Sequence, residues 1–283
     1  AQQPTAAQSQ ALEAWARGRN IAVQAVPGAG KSWLLIEACR AQAFGDAVIV
    51  VYNSELGADV SALLCAAGLE HRVRCFTFHA LFSHCVSLTP DDHALEHTLL
   101  AVSRGAVVAR PLCVASLLVD ESQDVNLLHT EVIRTCIVAD ENTQIAVVGD
   151  SRQELYDYGE FPALGPFLRR PQDFFTSRRQ WEFVALQMSH RITPPMAVLL
   201  ASHFETPITS SKASGPPVAV HMCGEFKMGG VIEGILTEHR GRVPLSRISV
   251  LTATKTFNVP LRAALNHLSA RGVPLFVHGV DPA

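Results

Sequence analysis

The chain has 283 residues, of which 48% are hydrophobic and 17% charged, with a formal net charge of −3. That length suits one large domain or two modest ones around a substantial core. The charge balance excludes a globally basic nucleic-acid coat but leaves room for a local basic groove.

Seven cysteines (Cys39, Cys65, Cys75, Cys85, Cys113, Cys136 and Cys223) make no C-x-x-C pair and mostly sit in apolar runs. They read as buried free thiols of a reducing, intracellular compartment, with nucleus and cytoplasm not distinguished. The histidines lack zinc spacing. No apolar run reaches the length of a membrane span. The opening "AQQPTAAQSQ" lacks the basic-then-apolar build of a signal peptide. The chain begins with Ala1, which reads as a piece of a longer protein.

In chain order, "IAVQAV" (21–26) predicts a buried strand, then a Gly-rich turn and a helix over 31–44. "AVIVVY" (47–52) predicts the next strand, and "ADVSALLCAAG" (58–68) a helix after it. "RVRCFTF" (72–78), "VASLLVD" (114–120) and "QIAVVGD" (144–150) predict three more strands. Strands that are apolar throughout, separated by helices, imply a parallel sheet covered on both faces. A second unit is expected from about Val184, after a first domain over 1–183. "TPITSSKASGPP" (206–217) reads as a loop or linker. Beyond it a strand is expected at 218–223, a helix at 229–239, a strand at 248–254, a helix at 259–272 and a strand at 273–279.

Ligands of such sheets bind beyond the C-terminal strand ends. Three polar motifs fall there. The first is "VPGAGKS", with Pro27, Gly28, Ala29, Gly30, Lys31 and Ser32 as its phosphate-binding residues. Glycines let backbone N–H groups crowd a phosphate, and the following helix adds the positive end of its dipole. Lys31 would reach the β/γ-phosphates of ATP, and the Ser32 hydroxyl would ligate Mg²⁺. The pattern G-x-x-x-x-G-K-[ST] is met except at its first position, which is Ala25. An ordinary Gly-rich strand-to-helix turn is the plain alternative. The second motif is "LLVDESQD" (117–124), where Asp120 would hold the metal and Glu121 would deprotonate the attacking water. An acidic turn opening a helix is the alternative. The third is "VVGDSRQELYDYG" (147–159), where Gln153 could sense the γ-phosphate or simply be a surface residue.

Together these motifs resemble superfamily 1 helicases of the UvrD/Rep type, a group that includes the F-box DNA helicases. "PTAAQSQAL" (4–12) is similar to the family's Q motif, which implies that Gln8 hydrogen-bonds the adenine edge. "VVYNSELGADVSALL" (50–64) resembles motif Ia, and "FTFHALF" (76–82) the Thr-Phe-His motif. The resemblance implies that Asn53, Thr77, Phe78 and His79 line a single-stranded DNA track. "LQMSHRITPPMA" (186–197) resembles motif IV, with Arg191 as an arginine finger and His190 in place of the tyrosine that stacks on adenine. Tyr158 keeps an aromatic where the family stacks a base, although core packing is the alternative, and Gly159 and Glu160 replace the family's Arg-Gly.

The implied fold is α/β: a RecA-like P-loop NTPase domain (1–183) with a reduced 1B insertion, then part of a second RecA-like domain (184–283). The implied activity is an ATP-dependent, Mg²⁺-requiring DNA helicase or translocase on single-stranded DNA, with generally 3′ to 5′ polarity and no membrane partner. Arg169/Arg170 and Arg178/Arg179 could add backbone contacts to DNA or be solvated surface. Motifs V and VI are missing before the chain ends, so slow hydrolysis is expected. The alternative is a catalytically impaired, nucleotide- and DNA-binding remnant. A small-molecule P-loop kinase explains neither "DESQD" nor "FTFHAL".

Overall fold

The computed structural model describes residues 3–42, 45–86, 92–138, 141–153, 167–204, 207–219, 221, 223–224, 227–238, 244 and 259–270. They form two compact units, 1–217 and 218–283.

The first unit begins with α1 (Ala6–Ala16). Thr5 opens it with a capping box: its hydroxyl accepts the Gln8 N–H while the Gln8 side chain accepts the Thr5 N–H. Then come β1 (Asn20–Ala25), α2 (Lys31–Ala41), β2 (Ala47–Val51), α3 (Ser54–Ala67), β3 (Val73–Thr77), α4 (Phe78–Val86) and α5 (Asp92–Ser103). The short β4 (Leu112–Cys113) precedes β5 (Ser116–Val119), α6 (Leu127–Cys136), the short β6 (Ile137–Val138) and β7 (Gln144–Gly149). β8 (Trp181–Leu186), the short β9 (Met188–Ser189), α7 (Pro194–Phe204) and the short β10 (Thr209–Ser210) complete the unit.

Six strands form one sheet in the order β3-β2-β5-β7-β1-β8. Every pairing in it is parallel. The α/β expectation with a parallel sheet therefore holds. Alternation explains why the strands are apolar throughout. Ile21, Val23, Ile49, Leu118 and Val148 pack into one core with α1, α2 and α3. Ala22, Val48, Leu117 and Val147 pack into the other with α4, α5 and α6. β2, β5 and β7 are buried along their whole length because helices cover both sides, whereas the edge strands β3 and β8 are partly exposed.

Three differences from the sequence expectation stand out. The expected division at 183/184 cuts through β8, whose residues pair with β1 from Asn20↔Trp181 to Ala25↔Leu186. The first unit instead runs to Pro217. The expected linker at 206–217 contains β10, which pairs in parallel with β9 at Thr209↔Met188 and Ser210↔Ser189. Composition suggested a free loop because serine, proline and threonine dominate it, yet backbone pairing needs no apolar side chain. Finally, Cys39, Cys85 and Cys136 are buried as expected, whereas Cys65, Cys113 and Cys223 are exposed; all seven are free thiols.

In the second unit α8 (Met228–Glu238) packs against α9 (Val259–Ala270). A side chain at Gly229 would sit 3.0 Å from His267 Cβ and 3.1 Å from Ala264 Cα, so the glycine permits the close approach. His267 Nε2 lies 2.7 Å from Glu233 Oε2. The described residues of 218–223 carry no strand, and the strands expected at 248–254 and 273–279 lie outside the described residues.

Candidate nucleotide site

Sheet order brings the motifs together. β5, β7 and β1 are adjacent, and Val119, Val147 and Ala22 stand level across them. Asp120 follows β5, Asp150 follows β7, and the loop from Val26 to Gly30 follows β1. Sequence-distant polar residues thus share one sheet edge, as parallel register requires.

The loop needs its glycines. Gly28 and Gly30 have φ of 72° and 85°, in the left-handed region that side chains rarely adopt. A Cβ on Gly28 would lie 2.4 Å from Arg191 Cβ, and one on Gly30 would lie 2.8 Å from Gln8 Nε2. Lys31 begins α2 and reaches across to Glu121, with Nζ 2.8 Å from Oε2. Motifs I and II are therefore in direct contact. Ser32, half-buried, follows on the first turn of the same helix.

Asp120 is buried to 1% exposure and accepts the Glu121 N–H at 2.9 Å. Burial, then the neighbouring Glu121 charge, pushes its carboxyl up to about 6, and Lys31 partly opposes this. Glu121 has φ of 46°, the one positive φ outside glycine among the described residues. Strained backbone of this kind persists where surrounding contacts hold it, and it gathers at functional sites. Here the contacts are Lys31 and Gln123, whose Nε2 donates to Glu121 Oε2 at 2.9 Å.

Gln123 also links motif II to motif III, its Oε1 accepting the Asp150 N–H at 2.9 Å. A Cβ on Gly149 would come within 2.4 Å of that oxygen, so glycine allows the two loops to touch. Asp150, 1% exposed, is then a hub. Its Oδ1 accepts Gln24 Nε2 and Arg152 Nε, each at 2.7 Å, and its Oδ2 accepts Gln153 Nε2 at 2.8 Å. Gln153 is thus held by Asp150 beside the loop.

The structure brings Pro27, Gly28, Ala29, Gly30, Lys31, Ser32, Asp120, Glu121 and Gln153 to one edge. It amends three other expectations. Gln8 is 4% exposed and its amide is engaged twice, accepting from Thr5 N–H at 2.8 Å and donating to the Ala29 carbonyl at 3.0 Å. It backs the phosphate loop, with one Nε2 hydrogen and one Oε1 lone pair used in doing so. Arg191, expected from a second domain, stands in the first unit against Gly28, with an exposed side chain. His190 follows it there, half-buried, with Nδ1 3.0 Å from Ser211 Oγ.

The nucleic-acid expectation divides. Val51 and Thr77 pair across β2 and β3, which puts Asn53, Thr77 and His79 at the same sheet edge. Asn53 is exposed and Oδ1 caps α3 by accepting the Leu56 N–H at 2.9 Å. Thr77 Oγ1 accepts the Ala80 N–H at 3.1 Å, and His79 is half-buried. Phe78 contradicts its assignment: it is 1% exposed and stacks on His129, with centroids 4.1 Å apart. It points into the core because α4 starts at this residue and turns that face toward the sheet. Tyr158 lies outside the described residues. Arg178 is paired with Glu141, and Arg179 donates to the carbonyls of Asn142 and Gly18 at 2.7 and 2.8 Å. Arg169 and Arg170 are exposed, and among the described residues neither side chain has such a partner.

Residues that the sequence did not single out are Gln24, Gln123, Asp150 and Ser189. Gln24 carried a signal: it is the one polar residue in the run "IAVQAV" (21–26).

The family model for the AAA domain matches residues 8–158, more than half of the chain. This chain belongs to the AAA domain family. The match spans most of α1, the phosphate loop, "DESQD" and Gln153. No curated protein matches. Among solved structures, the arterivirus nonstructural protein 10 (helicase) is similar at 16% identity with a TM-score of 0.42, over 76% of this chain and 47% of that one. Unliganded Pif1 from Bacteroides sp is similar at 16% identity with a TM-score of 0.41, over 72% of this chain and 46% of that one. Bacteroides sp Pif1 in complex with ADP-AlF4 is similar at 17% identity and 0.40, over 72% and 46%. The chain spans about half the length of these structures.

Among the described residues no group of three or more His, Cys, Asp and Glu could hold a metal. A nucleotide-bound Mg²⁺ does not need one, because phosphates and water supply most of its oxygens. Ser32 and the buried, charge-disfavoured Asp120 fit that donor set, since a cation would restore Asp120 to its charged form. Among the described residues no helix is long and apolar enough to cross a membrane.

Proposed function

We propose that this chain binds Mg²⁺-ATP at the edge formed by β1, β5 and β7 and hydrolyses it as a helicase or translocase motor on single-stranded DNA. The observation that carries this reading is the contact of Lys31 with Glu121 at 2.8 Å, continued through Gln123 to Asp150 and Gln153. A phosphate loop, a carboxylate base and a γ-phosphate sensor are joined in one hydrogen-bonded set.

Lys31 is the cation that leaves Glu121 for the phosphates when a triphosphate enters. Glu121, released, is the general base for the attacking water. Gln153 leaves Asp150 to touch the γ-phosphate, and Arg191 stabilises charge developing on it, a role that accelerates related reactions by about 10³–10⁵-fold. Ser32 and Asp120 would hold Mg²⁺, which supplies charge neutralisation at the phosphate oxygens. Gln8 supports the loop from behind, and His190 flanks the base. Asn53, Thr77 and His79 form the DNA-facing part of the same edge, with 3′ to 5′ movement as the expected polarity. The expected part of a second RecA-like domain, read from the sequence over 184–283, is placed in the unit from Val218 onward.

The test is ATP turnover by the chain with and without single-stranded DNA. Turnover stimulated by the strand and abolished by Lys31→Ala supports the motor. A Lys31→Ala variant that turns over like the parent ends it.

A further inference from the structure

Ser189 lies in "QMSHR", immediately before His190 and Arg191, the residues expected to stack on the base and finger the γ-phosphate, yet neither role uses it. It is 0% exposed. Its hydroxyl makes three hydrogen bonds: it donates to the Pro27 carbonyl at 2.6 Å and accepts the N–H groups of Arg191 and Ile192, each at 3.2 Å. One oxygen thus joins the Pro27 carbonyl of the phosphate loop to the backbone of Arg191. Next to it, the His190 N–H donates to the Gly28 carbonyl at 2.9 Å. Contact is so close that a Cβ on Gly28 would fall 2.8 Å from Ser189 Oγ.

The turn is also held from its far side. Ser211 N–H donates to the Ser189 carbonyl at 2.9 Å, and Ser210 Oγ donates to the Ile192 carbonyl at 2.7 Å. The serine-rich segment therefore braces the turn, and the turn braces the loop. Carbonyls of a phosphate loop must face away from the anion while its N–H groups face inward. A donor fixed on the Pro27 carbonyl enforces that orientation.

We propose that Ser189 is a positioning residue for ATP hydrolysis, setting the phosphate loop and the Arg191 backbone through a single hydroxyl. This rests on the nucleotide site described under the proposed function. Removing the hydroxyl leaves one partly buried acceptor and two N–H donors without their partner, and polar groups left so away from water are costly.

The test uses Ser189→Ala, which adds no atoms, and the isosteric pair Ser189→Thr and Ser189→Val, with thermal melts to confirm folding. Mg²⁺-ATP affinity is read by competition against a fluorescent ATP analogue, and hydrolysis by single-turnover assay. Ser189→Ala is expected to weaken affinity about tenfold and slow hydrolysis about tenfold further, from the loss of three partly buried hydrogen bonds. Ser189→Val should do the same, and Ser189→Thr should stay within about threefold of the parent by keeping the hydroxyl. Combining Ser189→Ala with Arg191→Ala should slow hydrolysis little beyond Arg191→Ala alone, because both act on one interaction. Parent-like affinity and rate in Ser189→Ala, or equal behaviour of folded Thr and Val variants, overturns the proposal. Lys31→Ala separates the two readings: if it binds Mg²⁺-ATP like the parent, the nucleotide site itself is wrong; if it fails while Ser189→Ala does not, only the brace is wrong.

Discussion

The two ends of the same sheet edge were built from similar-looking sequence and came out differently. At β1, β5 and β7, small and polar residues after apolar strands converge on one another: Lys31 on Glu121, Gln123 on Asp150, Asp150 on Gln153. At β2 and β3, the residues after the strands serve local structure. Asn53 caps α3, Thr77 holds the first turn of α4, and Phe78 fills the core against His129. A buried carboxylate or strained glutamate is kept only by specific partners and so marks a site. An aromatic after a strand is stable in the core with no ligand at all.

The largest expected effect breaks the comparison at its catalytic end. Glu121→Gln should lower turnover by about 10²–10⁴-fold while Mg²⁺-ATP still binds, since the base is lost and the loop is kept. Parent-like turnover would show that Glu121 is only the partner of Lys31. Next, Phe78→Ala should reduce unfolding free energy by about 3–5 kcal/mol in a denaturant titration, as for other buried aromatics. A weaker grip on single-stranded DNA at unchanged stability would instead restore Phe78 to the DNA track. The smallest effect concerns pH. Asp120 titrates near 6 in the folded protein against 3.8 for the free group. Its stabilising contribution is therefore complete below about pH 4 and is lost as pH rises to about 6. Above pH 6, Asp120→Asn should stabilise the nucleotide-free protein by roughly 1–3 kcal/mol in thermal melts while weakening the Mg²⁺ dependence of ATP binding. In the parent, that Mg²⁺ dependence should fade below about pH 6 as the carboxyl protonates.

The strands and the phosphate loop were legible because each rests on a local rule. Runs such as "AVIVV" are apolar throughout only when both faces are covered, and "PGAGKS" needs its glycines at positive φ. β8 and β10 were not legible as members of the first unit. "WEFVAL" is a strand anywhere, and which sheet takes it depends on pairing with β1, a contact across more than 150 residues. β10 has no apolar signature at all. The roles of Gln24, Gln123 and Ser189 were hidden for the same reason, since each is defined by a partner distant in sequence: Asp150, again Asp150, and Pro27.

The central claim is that Lys31, Asp120 and Gln153 surround one triphosphate. Titrating ATP against the chain with and without Mg²⁺ tests it most directly, with Lys31→Ala beside the parent. We expect Mg²⁺ to tighten the parent's affinity about tenfold or more and to do nothing for Lys31→Ala. Equal affinities in all arms, with or without the metal and the lysine, would contradict the account.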